Sequence, residues 1–212
     1  MVKIEIGDKK YEMPESFDEI TLIQYCRAFH NLPKVDESLG EDEKVVALLR
    51  NEAIILSRLL GEKDDFMLSQ PIGVFNRLRE QMKFIYKSVD YLDAKIFYVK
   101  IKDKKYFMPD PSEMSLRQYI DTDIILRENN SPEQFCELLA ALLLPLDEKT
   151  GKTKEYDGDY QKRFEIIKNM SCADTLPFIY TFLKKNMISK QVSKMYSQVG
   201  EENQHHRHIE NS

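Results

Sequence analysis

The sequence predicts an α+β chain that is mainly α with small β-hairpins. It reads as two tandem repeats of a β-hairpin plus a helical bundle, with a C-terminal extension. Three observations carry this prediction. First, "DKKYEMPESFDEITLIQY" at Asp8–Tyr25 recurs as "DKKYFMPDPSEMSLRQY" at Asp103–Tyr119. Second, each copy follows an alternating stretch, "VKIEI" or "AKIFYVKI", rich in β-branched and aromatic residues as a half-buried strand requires. Third, Phe84-Ile85-Tyr86 meets Phe178-Ile179-Tyr180 at the same offset that aligns Gln24-Tyr25 with Gln118-Tyr119. The units are drawn as residues 1–94 and 95–190, with a polar tail at 191–212.

Each unit opens with a strand, a polar turn and a returning strand. Gly7-Asp8-Lys9-Lys10 and Lys102-Asp103-Lys104-Lys105 are the turns, and Tyr11–Met13 and Tyr106–Met108 return. Pro14 and Pro109 end the strands by withholding a ladder donor. A helix start follows. Thr21 with Gln24, and Ser115 with Gln118, fit the capping box, in which the hydroxyl takes the N3 amide and the glutamine reaches back. Ile20 with Tyr25, and Met114 with Tyr119, occupy the positions of a hydrophobic staple. The repeated letters therefore encode strand, stop, cap and staple, which a fold needs and a reaction does not.

Val45–Leu60 is dominated by apolar residues, with Arg50, Asn51, Ser57 and Arg58 on one narrow face and Glu52 as the exception, so this helix is expected to be mostly buried. Gly61 is its natural C-cap. A further helix begins near Pro71, and Phe75, Leu78, Met82, Ile85, Val89 and Leu92 form a seam at alternating steps of three and four. That seam suits either the core or a partner, so Phe75, Leu78, Met82 and Ile85 are candidate partner contacts. In the second unit Ser131-Pro132-Glu133-Gln134 joins a capping box to a proline at N1. The helix through "FCELLAALLL" is expected to stop at Pro145. "LDEKTGKTKEYDGDY" reads as a long polar connection, of the kind that is functional or disordered. Helices then read through "QKRFEIIKNM" and "ADTLPFIYTFLKKNMISKQVSKMY" before the polar end.

Composition narrows the function classes. A net charge of −5 and a pI near 5.5 oppose a general nucleic-acid binder. The longest apolar run, Leu138–Leu146, falls far short of the roughly 20 residues that span a bilayer. No early stretch reads as a signal peptide, so a soluble protein made in a cytoplasm is expected. Cys26, Cys136 and Cys172 lack C-x-x-C spacing and read as buried free thiols. Gly151-Lys152-Thr153 lacks the upstream glycine of a phosphate loop, Leu146 standing in its place. His205, His206 and His208 are a possible but unframed metal grip, and His30 has no evident nucleophile partner. Asp64-Asp65 and Asp157/Asp159 read as turn and cap residues. No catalytic residue, cofactor or metal ligand is assigned.

One longer pattern carries a resemblance. Tyr11-x-Met13-Pro14-Glu15-Ser16-Phe17-Asp18-Glu19-Ile20-Thr21-Leu22-x-Gln24-Tyr25 resembles the opening of small proteins from the structural gene blocks of tailed phages. Those of Bacteroidetes hosts, including crAss-like phages, are the nearest in kind. "LAALLLP", a charged loop, "EYDGDY", "RFEIIKNM" and "FIYTFL" follow in the order seen in the same proteins. The resemblance brings no catalytic residues. It implies a non-enzymatic virion structural protein, a neck or tail ring or hub component, made in the host cytoplasm. Its expected partners are other phage tail or neck proteins and copies of itself, with no specific nucleic acid and no membrane. The alternative is a cytoplasmic tail-assembly chaperone absent from the mature particle. The connection near residues 145–160 and the tail are expected to be arms that order on assembly.

Overall fold

The structure, a computed structural model, describes residues 1–86, 97–101, 103–128, 130–147 and 149–185. Strands β1 (Val2–Ile6) and β2 (Lys9–Met13) pair antiparallel from Val2↔Met13 to Ile6↔Lys9. Gly7 makes the turn at φ +59°, a left-handed conformation open to a residue without Cβ. Alternation puts Ile4, Ile6 and Met13 in the core and leaves Lys3, Glu5, Lys10 and Glu12 in solvent. Strands β3 (Phe97–Ile101) and β4 (Lys104–Met108) repeat that five-pair register, from Phe97↔Met108 to Ile101↔Lys104. A third strand, β5 (Leu144–Pro145), adds to the far edge of β4.

Seven helices complete the mixed α+β fold among the described residues. They are α1 (Leu22–Phe29), α2 (Glu41–Leu59), α3 (Ile72–Gln81), α4 (Leu116–Glu128), α5 (Gln134–Leu142), α6 (Gln161–Ile167) and α7 (172–185). Short 3-10 turns precede α1 and α4, at Phe17–Glu19 and Pro111–Glu113. Helix α5 sits centrally against α1, α4 and α6, and Cys136 and Leu138–Leu142 on it are all buried. The buried cluster runs continuously from Ile4 to Phe182, so both halves of the chain share one core.

The junction of the halves is made by two helix starts. A helix leaves its first amides without intrahelical partners. Here Leu22 N donates to Met170 O and Cys172 N donates to Ile20 O, both at 2.8 Å, around an antiparallel Thr21↔Ser171 bridge. The opening of α1 thus satisfies the opening of α7, across the boundary drawn at residues 94 and 95. Thr21 closes its capping box: Gln24 N donates to Thr21 Oγ1 at 3.4 Å and Thr21 N to Gln24 Oε1 at 3.0 Å. Ser171 Oγ likewise accepts from Asp174 N at 3.2 Å.

Several expectations are corrected. The first ten residues of α2 contain no fully buried side chain: only Leu49 among them packs partly against the core, and full burial begins at Ala53. The seam splits where α3 ends at Gln81 and a 3-10 turn spans Lys83–Tyr86. Phe75, Leu78, Met82 and Ile85 are all buried in the core, and of the four Phe75 also lines a surface groove; Val89 and Leu92 lie outside the described residues. Phe84–Tyr86 belongs to that turn whereas residues 178–180 are helical, so this third match between the units falls on unlike structure. The apolar helix ends at Leu142 rather than Pro145, because Leu144 and Pro145 pair with Phe107 and Tyr106.

The polar connection is not a free arm. Leu146 N donates to Lys105 O and Lys154 N to Pro145 O, both at 2.9 Å, which folds it back along β4. Tyr156 is buried, with its hydroxyl donating to Asp121 at 2.8 Å. Gly158, at φ +80°, lies under the Arg117 guanidinium, which an added Cβ would strike. The tail at 191–212 lies outside the described residues.

Candidate functional site

Side chains from neighbouring helices close the helix C-termini, and this determines which surfaces remain for function. The last carbonyls of a helix lack intrahelical donors and carry the negative end of its dipole. At α1, Arg58 Nη1 donates to His30 O at 2.5 Å while its other nitrogens grip both Asp64 oxygens at 2.7 Å. The Arg58 guanidinium holds the Asp64 carboxyl below its ordinary range. At α5, Arg163 Nε donates to Ala140 O at 2.9 Å, and Gln118 Nε2 donates to Ala141 O and Leu142 O at 2.9 and 3.2 Å. At α4, Gln134 Nε2 donates to Ile125 O at 2.9 Å and Leu126 O at 3.2 Å.

The sequence-predicted caps therefore divide. Ser115 Oγ accepts from Gln118 N at 3.2 Å, as its position in the motif requires. Yet Gln118, only 1% exposed, turns inward to α5 instead of back to its own cap, while the matching Gln24 is exposed and stays local. Ser131 does not head a capping box: Glu133 is the N-cap residue of α5, without a side-chain cap bond, and Gln134 serves the end of α4. Sequence reasoning missed Arg58 and Arg163 as helix-closing residues.

No catalytic constellation emerges from these residues. Cys26, Cys136 and Cys172 are buried, and the Cys136 thiol is pushed up by its contact with Cys26 and by burial. Burial likewise raises Cys172. Thiols in that state are poor nucleophiles. Among the described residues no three His, Cys, Asp or Glu side chains are grouped to hold a metal ion, and no helix is long and apolar enough to cross a membrane. His205, His206 and His208 lie outside the described residues. A charged cleft of about 930 Å³ beside β4 mixes Lys104, Lys154 and Lys162 with Asp103, Asp157 and Asp159. Arg163, 8% exposed, reaches its wall, where Nη2 lies 3.9 Å from Asp157 Oδ1.

Two apolar faces stand out instead. Val45, Val46 and Leu48 on the unburied half of α2 are exposed, Val46 by 67%, and Ile72 at the start of α3 is exposed by 70%. Between these elements runs an apolar groove of about 370 Å³, walled by Val46, Leu49, Ala53, Leu68, Ile72 and Phe75. The second face lies on α4, where Leu116 (75% exposed), Tyr119, Ile120 and Ile124 recur at helical spacing. Single exposed apolar residues are ordinary; contiguous ones mark interaction surfaces. No family model matches the chain, and no curated protein or solved structure matches it either.

Proposed function

We propose that this chain is a non-enzymatic structural protein of a tailed phage, a neck or tail ring or hub component that joins neighbouring subunits. The observation that carries the reading is the half-helix Glu41–Arg50, which presents Val45, Val46 and Leu48 to solvent while its other half is rooted in the core. Exposing apolar side chains on a well-capped helix forfeits burial worth roughly 1.5–3 kcal/mol for each valine or leucine. A surface that needs a partner recovers it.

The resemblance of Tyr11–Tyr25 and of the "EYDGDY" to "FIYTFL" order to phage structural-block proteins supports the setting. The matching registers of the two hairpins support reading the chain as two copies of one small scaffold, each offering similar ends to its neighbours. Quantitative mass spectrometry of purified particles tests the reading: a structural subunit is present at a fixed ratio to the other virion proteins. Its presence in the infected cell with absence from the particle overturns it.

The groove between α2 and α3 favours a second reading. A concave apolar slot of about 370 Å³ fits a client helix, as a cytoplasmic tail-assembly chaperone that leaves before maturation would need. Absence from particles, with the protein captured on a tail protein earlier in infection, is the outcome specific to that reading.

A further inference from the structure

We draw no further inference here: the strongest candidate, the exposed apolar stripe of Leu116, Tyr119, Ile120 and Ile124 on α4, carries nothing, because nothing in the structure shows what covers it.

Discussion

Replacing Gln118 by methionine keeps the side chain's length and apolar volume but removes both donors to the end of α5. The two acceptors, Ala141 O and Leu142 O, belong to residues with no exposed surface, so water cannot take over. A buried polar group left without a partner costs about 1–3 kcal/mol, and a carbonyl sits at the low end of that range. Two carbonyls together place Gln118→Met near 2–3 kcal/mol of lost stability. The matching change Gln24→Met removes the acceptor shared by Thr21 N and Thr21 Oγ1, at an exposed site where water can replace it, and should cost about 1 kcal/mol or less. Urea unfolding of both variants measures this, with unchanged m-values showing that stability alone has moved. A Gln118→Met midpoint equal to the wild type, or equal losses at both positions, would refute the claim that α5 is closed by a side chain from α4.

Thr21→Ala removes the hydroxyl that caps α1 and should cost about 1 kcal/mol in urea unfolding, since the backbone bonds to Met170 and from Cys172 remain. The thiols of Cys26, Cys136 and Cys172 should react with a thiol reagent only as the chain opens, so labelling should follow unfolding across a urea series, and rapid native labelling would contradict their burial. Asp64, held below the ordinary carboxylate range by Arg58, and Asp110, held there by Lys185, bind fewer protons folded than unfolded. Their contribution is therefore complete above the unfolded value of about 4 and is lost as pH falls through the lower folded values. The urea midpoint should stay flat from neutrality to about pH 5 and fall below pH 4, less steeply in Asp64→Asn; a decline starting near pH 6 would assign the loss to other groups.

What the sequence made legible is what local rules govern. The hairpin turns, the Thr21 cap and the left-handed Gly61 after α2 each depend on residues within a few positions. Gly61 shows how completely: its amide donates to Arg58 O and that of Glu62 to Ser57 O, closing the helix within five residues. Gln118 marks the limit. It occupies the place of Gln24 in a repeated phrase, yet its partners stand 23 and 24 residues away, and no capping rule reaches that far.

Burial of α2 failed for a related reason. Periodicity reports which faces are apolar, but only the packing of α1 and α3 shows that full burial begins at Ala53. The same limit hid the candidate site: Phe75 and Ile72 are both apolar residues on one helix, and only the fold puts the first in the core and the second in solvent. Strand β5 was lost to a proline read solely as a helix stop, whereas at the sheet's edge its carbonyl still accepts a bond, from Lys154 N.

The central claim is that the exposed half of α2 is the surface by which this protein joins a larger assembly. Its most direct measurement is the copy number per particle of a Val46→Asp chain supplied to phage that lack the wild-type gene. The account predicts that the folded variant accumulates in the cell and is missing from particles. Incorporation at the wild-type copy number would contradict it.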